Sequence, residues 1–268
     1  MTGRALGLLW LLVPGMAFAE TVVYSPPLEL DYFAPAGLAP NRPAAILLHG
    51  GGLTAGSRRD VPVAALAKVL NQAGFAVFAI DYSLAPPHPY PAALDDVRRA
   101  VAFVRLHAKR RWKIDPKRIA LIGFEAGGYL ANLALPDVQA VVSLSAMSDL
   151  RGWPAPPALQ NFLAPLIATR GLEGALAEAS PVMHIRTDAP PFLLIHGDAD
   201  TQVPVVQSTH WQNALQAAGV RCNLILIGGG GHDPAGWTAI PGVRDWESEM
   251  IAWLNVALGS HATQRSLP

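Results

Sequence analysis

The sequence predicts an α/β fold, with a mostly parallel central sheet flanked by helices. Three observations carry that expectation. Short apolar runs recur along the chain, rich in Val, Ile, Leu or Phe and with little polar alternation, the pattern of strands covered on both faces. Helical spacings lie between them, and strands alternating with helices build an open sheet with helices on both sides. Turns bearing glycine directly follow three of the runs, at residues 50–52, 123–128 and 228–231.

The elements follow in order. Residues 1–19 read as a secretory signal: Arg4 supplies the positive charge, residues 5–13 form an apolar stretch too short to span a bilayer, and Ala17-Phe18-Ala19 gives a small-x-small pattern before Glu20. The expected mature chain, 20–268, is one domain. Residues 22–33 read as an outlying strand or hairpin at the sheet edge. Buried parallel strands are expected at 44–49, 75–80, 118–122, 139–144, 191–195 and 222–227. Val97, Ala100, Val101 and Val104 keep the i, i+3, i+4, i+7 spacing of a helix. Residues 61–73 and 205–218 are similar, and each ends at a glycine. A final helix covers 245–258, with Trp246, Met250, Trp253 and Leu254 on one face.

Two stretches break this rhythm. Residues 84–91 form a proline-rich loop. Residues 151–190 are an insertion with several prolines and with Trp153, Phe162, Leu163 and Leu166. In an open α/β sheet, ligands bind beyond the carboxyl ends of the strands. The insertion therefore reads either as a small lid, with Trp153, Phe162 and Leu163 lining a substrate pocket, or as a surface helix covering the sheet.

Composition narrows the classes. Apolar residues make up 51% of the 268, enough for one large core. Formal net charge is zero and no basic stripe runs along the chain, so no nucleic-acid partner is expected. The run Lys109-Arg110-Arg111 sits at a helix end, where cations are favourable. The single cysteine, Cys222, forms no internal disulfide and reads as a buried thiol. After signal removal no stretch is long and apolar enough for a membrane span. Oligomeric state is not legible.

The chemistry lies in the turns. In His49-Gly50-Gly51-Gly52, backbone N–H groups are free to face a substrate oxygen, so Gly51 and Gly52 are candidate oxyanion-hole donors. In Gly123-Phe124-Glu125-Ala126-Gly127-Gly128, small residues flank a central position between a strand and a helix. That is what a nucleophile elbow requires, with Ala126 N–H as a third donor. Asp200, in His196-Gly197-Asp198-Ala199-Asp200, and His232, after four glycines, follow the next strands. Singly, Asp200 reads as a helix cap and His232 as a loop histidine. Together the order elbow, acid, histidine is that of the α/β-hydrolase fold. Asp198 and Asp233 are weaker candidates for the acid.

With these motifs, residues 44–255 resemble bacterial secreted esterases of the hormone-sensitive-lipase and feruloyl-esterase-like group, which includes kynurenine formamidase relatives. The shared pieces include Leu48-His49-Gly50-Gly51-Gly52, Asp81-Tyr82-Ser83-Leu84-Ala85-Pro86, Ile114-Asp115-Pro116-Lys117-Arg118-Ile119-Ala120 and the stretch Pro190 to Asp200. The resemblance implies an eight-stranded sheet, no metal or organic cofactor, and hydrolysis of small carboxylic esters or related acyl compounds. It maps the acid to Asp200 and the base to His232. It also implies serine at position 125, where this chain has glutamate.

Glu125 changes the chemistry. A carboxylate has no proton for His232 to remove at neutral pH, so no serine acyl-enzyme can form. Removing the nucleophile of a serine triad costs on the order of a millionfold in kcat in a well-studied protease. Three readings remain open. Glu125 is itself the nucleophile, giving a covalent ester as the aspartates of related folds do with epoxides or carbon–halogen bonds. Glu125 or His232 is a general base on water. Or the site is non-catalytic and binds a ligand or partner, with the carboxylate occupying the oxyanion hole and pairing with a protonated His232.

Overall fold

The computed structural model describes residues 18–35, 40–134, 137–154 and 156–259. The expected signal, 1–19, lies almost wholly outside them. The strands are β1 (Phe18–Ser25), β2 (Leu28–Phe33), β3 (Arg42–Leu48), β4 (Ala76–Ile80), β5 (Ile114–Phe124), β6 (Ala140–Leu144), β7 (Phe192–Gly197) and β8 (Cys222–Ile227). They form one eight-stranded sheet in the order β1-β2-β4-β3-β5-β6-β7-β8. The β1–β2 hairpin is antiparallel, with Val22 opposite Leu30, and β2 joins β4 antiparallel, with Leu30 opposite Ile80. All remaining pairs are parallel; Ile46 of β3, for example, lies between Phe78 and Leu121.

Successive side chains of a strand point to opposite faces, and β3 shows the result. Ala44, Ile46 and Leu48 enter one core layer; Ala45 and Leu47 enter the other. The first layer is closed by α2 (Ala92–His107), α3 (Ala126–Ala134), α4 (Pro157–Glu178) and α5 (Val206–Ala217). The second is closed by α1 (Val61–Gln72) and α6 (Trp246–Ala257), through Leu66, Leu70, Met250 and Leu254. Central β4 is buried throughout, whereas edge strand β8 alternates, leaving Asn223 and Leu226 exposed. Cys222 is buried there, and burial pushes its thiol up to about 12.

Helix ends follow local chemistry. Asp245, expected inside the last helix, is instead its cap, accepting the Ser248 N–H at 3.1 Å. The basic run falls in a π-helical turn, Ala108–Trp112, directly after α2, and Arg111 pairs with Glu20 of β1 at 2.8 Å. No described helix is long and apolar enough to cross a membrane.

The insertion contains α4, broken at Gly171 (φ 70°, ψ 171°), and a 3₁₀ turn, Pro181–Met183. Its first half buries Leu159, Phe162 and Leu163. The expectation that Phe162 and Leu163 line a substrate pocket is corrected here. Both are fully buried, and Phe162 meets the rings of Tyr90 and Tyr129 edge-on, with centroids at 5.6 and 6.3 Å. They anchor the insertion to the core and leave no face for a ligand. Trp153 is half-buried against the same core layer.

Candidate active site

The elbow is one residue long. β5 ends at Phe124, α3 begins at Ala126, and Glu125 between them has φ 51°, a left-handed conformation that non-glycine residues adopt at some cost. Two backbone bonds hold it there: its N–H donates to Leu144 O, and its carbonyl accepts from Tyr129 N–H, both at 2.9 Å. Strand and helix approach so closely that a Cβ on Gly127 would lie 2.4 Å from the carbonyl oxygens of Leu48 and His49. That is why small residues surround position 125.

The oxyanion loop faces this elbow, and Glu125 occupies it. Glu125 Oε2 accepts the N–H of Gly51 at 2.6 Å and that of Gly52 at 2.9 Å. Ala126, the third expected donor, opens α3 beside them; among the described residues only Gly51 and Gly52 donate to the carboxylate. The loop turns sharply at Gly51, where φ is 106° and an added Cβ would sit 2.3 Å from Ala55 O. Tyr82 supports it from beneath: its hydroxyl donates to His49 O at 2.8 Å and its ring stacks on the His49 imidazole at 4.0 Å. Burial keeps His49 neutral by lowering its pKa. At the loop's far end, Arg58 pairs with Asp81, Glu29 and Asp31, and Arg59 with Asp31 at 2.8 Å. Burial raises the Asp31 pKa, but bonds from Arg59 and Thr21 and the charge of Arg58 outweigh it, so its carboxyl titrates below the usual range.

Asp200 and His232 come together from the loops after β7 and β8, with His232 Nδ1 2.7 Å from Asp200 Oδ2. Asp200 caps no helix; α5 begins at Val206, and the carboxylate instead accepts the N–H groups of Gln202 (2.8 Å) and Val203 (2.9 Å). Burial raises its pKa, but the bonds from His232, Val203 and Gln202 outweigh it, leaving a net lowering. An ionised Asp200 requires the proton on Nδ1 of His232, which leaves Nε2 as the basic nitrogen. His196 is a second imidazole at Asp200, 3.2 Å from Oδ2 and fully buried. Its Nε2 donates to Val203 O and its Nδ1 accepts from Ser208, and burial lowers its pKa, so it is a neutral brace. The weaker acid candidates have other partners: Asp198 accepts from Gly229 N–H and Asp233 from Ala235 N–H.

His232 packs against Phe124, with ring centroids at 5.2 Å, yet it forms no ion pair with Glu125 within 4.0 Å. The pairing of Glu125 with a protonated His232 is therefore absent; the carboxylate turns to the glycine amides instead.

The insertion leaves and rejoins the domain at one place. Gln207 Oε1 accepts the N–H groups of Ser148 and Asp149, and its amide donates to Asp149 O, each at 2.8 Å. Ser180 Oγ accepts the Leu150 N–H at 2.8 Å, and Val182 N–H donates to Ser148 O at 3.1 Å. From this base α4 reaches the oxyanion loop, where the Ala158 methyl group lies 3.8 Å from where a Cβ on Gly52 would be. Tyr82, Arg58, Gln207 and Ser180 escaped the sequence reading as site residues. The first two did carry a signal, since Gly56-Ser57-Arg58 and Asp81-Tyr82-Ser83 are among the pieces shared with the esterase group.

Comparison with known proteins agrees with this fold. The prolyl oligopeptidase family model matches residues 93–261, and the BD-FAE family model matches residues 30–137. Esterase LipC of Mycobacterium tuberculosis is 30% identical over 230 residues, which cover 76% of this chain and 56% of the relative. The chain spans about half the length of the curated relatives it matches. A truncated carbohydrate esterase from gut microbiota superposes with a TM-score of 0.78 at 23% identity, covering 90% of this chain and 97% of the other. A butyrate-bound esterase from Thermogutta terrifontis gives 0.73 at 25% identity, covering 92% and 96%. The chain belongs to the prolyl oligopeptidase family and has the α/β-hydrolase fold.

Proposed function

We propose that this chain is a hydrolase of small molecules that works through Glu125 as a carboxylate nucleophile and hydrolyses electrophiles at saturated carbon. The observation that carries the proposal is the division of labour within one carboxylate. Oε2 is held by Gly51 and Gly52, and among the described residues nothing donates to Oε1.

That division disfavours an acyl ester. Its neutral carbonyl would need the hole that a charged oxygen already fills. Each charge-assisted hydrogen bond is worth about 1.5–3 kcal/mol, so displacing two costs about 3 kcal/mol at this partly exposed loop, roughly a hundredfold. A saturated carbon needs no hole in the first step. Oε1 attacks it, the new C–O bond forms, and the leaving group departs with its electron pair.

The second step uses the rest of the site. His232 Nε2 takes a proton from water, and the resulting hydroxide adds to the Glu125 carboxyl carbon. Negative charge then develops on Oε2, where the two N–H groups already lie. Collapse expels the alkoxide, which takes the proton from His232, and Glu125 returns to a carboxylate by releasing one proton to solvent. Asp200 holds the imidazole in the required tautomer throughout. Export through residues 1–19 and a lid role for the insertion belong to the same proposal.

Intact-mass analysis tests it. His232→Ala incubated with a short bromoalkane should accumulate one alkyl group on the peptide containing Glu125, while wild type should turn over and remain unmodified. Absence of an adduct with bromoalkanes and epoxides alike would overturn the proposal, whether p-nitrophenyl esters modify Glu125, which would place attack at acyl carbon, or not, which would leave a binding module.

A further inference from the structure

We propose that a second site, a cleft between α2, the end of α3 and residues 184–186, binds a small carboxylate that carries an apolar group. The cleft encloses about 430 Å³, within the range that small-molecule sites occupy. It is separate from Glu125: α3 runs from the elbow at Ala126 to Ala134, which lines the cleft. Eight residue steps of helix put about 12 Å between them.

The lining sets the ligand class. Arg98, Arg186, His184 and Tyr90 line the cleft, and among the described lining residues there is no carboxylate; Asp95 and Asp188 meet the cleft only as partners of the two arginines. Each of the four keeps an unused polar atom among the described residues. Arg98 uses Nε on Ala134 O and Nη1 on Asp95, leaving Nη2. Arg186 spends Nε and Nη2 on Asp188, leaving Nη1. His184 Nε2 donates to Glu178 O, leaving Nδ1. The Tyr90 hydroxyl has no partner.

The existing ion pairs do not tie these arginines down. Arg98–Asp95 and Arg186–Asp188 are local pairs with side chains 46% exposed or more. Such pairs contribute about 0–1 kcal/mol, so an incoming anion competes with them easily. The cleft also has apolar lining residues: Leu94 and Leu133 are buried beneath it, and the half-buried Ile185 offers the apolar face. A purely inorganic anion would leave that surface unused. A neutral apolar molecule would leave the guanidinium donors unused. A carboxylate on an aromatic or branched group uses both, since its planar oxygens match the guanidinium fork.

Titration of the protein with benzoate, benzamide and inorganic phosphate, followed by NMR chemical shifts, tests this. Benzoate should bind saturably in the millimolar range, shifting the resonances of Leu133 and Ile185. Benzamide and phosphate should each bind at least tenfold more weakly. The double variant Arg98→Gln/Arg186→Gln, which changes only exposed side chains, should weaken benzoate at least tenfold, and His232→Ala should leave its affinity unchanged. Three results would overturn the proposal: no saturable benzoate binding, equal affinity for benzoate and benzamide, or binding lost in His232→Ala and retained in the double variant.

Discussion

Glu125 Oε2 lies 2.6 Å from the backbone nitrogen of Gly51, so the proposed oxyanion hole is filled by a side chain of the protein itself. The proposed site is otherwise in place: glycine loop, elbow, Asp200 and His232 follow the carboxyl ends of β3, β5, β7 and β8. The single departure from a serine triad is also the group that closes the hole.

Glu125→Ser should open it. The variant should hydrolyse p-nitrophenyl acetate at least about 10³-fold faster than wild type, because a triad without its nucleophile retains only a small residual catalysis. Initial rates of the two purified proteins decide this. Equal rates would mean that the loop does not offer its amides to a substrate once the carboxylate is gone.

Within the Glu125→Ser background, Asp200→Asn should lower kcat on the order of 10⁴-fold with little change in KM, since it leaves the shape intact and removes the group that fixes the imidazole tautomer. Steady-state kinetics read both parameters. A drop confined to KM would place Asp200 outside the chemistry.

Gly127→Ala should destabilise the fold by more than about 2 kcal/mol, the range of severe core clashes. The new methyl group would meet the backbone of Leu48 and His49 at 2.4 Å, and backbone gives way only by moving the whole elbow. Urea denaturation of wild type and variant measures it. Gly228→Ala is the control: nothing lies within 4 Å of its Cβ position, and stability should hardly change.

Acid should unfold the protein through its depressed carboxyls. Asp31 and Asp200 titrate lower in the folded state than an ordinary aspartate. The stability they contribute is present above the ordinary aspartate range and is lost as pH falls through their lowered values. Melting temperature should therefore hold from neutrality into mild acid and then fall steeply. Asp31→Asn should flatten that fall; an unchanged slope would show that Asp31 plays no part in it.

Expressed with its full N-terminus in a bacterial host, the protein should be recovered from the periplasm with Glu20 as its first residue. N-terminal sequencing of the periplasmic fraction is the check, and an intact Met1 in the cytosol would refute export.

Much of this was legible in the sequence. The strands could be read because buried parallel strands are apolar on both faces, and the central strands here are. The elbow and glycine loop could be read because close backbone approach demands small residues. The capture of Glu125 by the hole could be raised only as one option, since a rotamer depends on donors 73 and 74 residues away. Phe162 and Leu163 misled because apolarity alone does not distinguish a core side chain from a pocket wall. Gln207 was invisible for a related reason: its partners lie 58 and 59 residues away and share no spacing with it.

The shared root of the insertion has a further consequence. The chain departs at Leu150 and returns at Ser180 through one set of hydrogen bonds, and among the described residues between them only Leu159, Phe162, Leu163, Ala175, Leu176 and Ala179 are buried in the core, so the exposed stretch 168–173 around the Gly171 break is the part seated on nothing else. Loop-closure entropy grows slowly with length, so that exposed stretch can be lengthened or shortened while Phe162, Leu163 and Leu176 keep the rest of the insertion seated on the core. The rim of the site is thus free to diversify while its floor stays fixed.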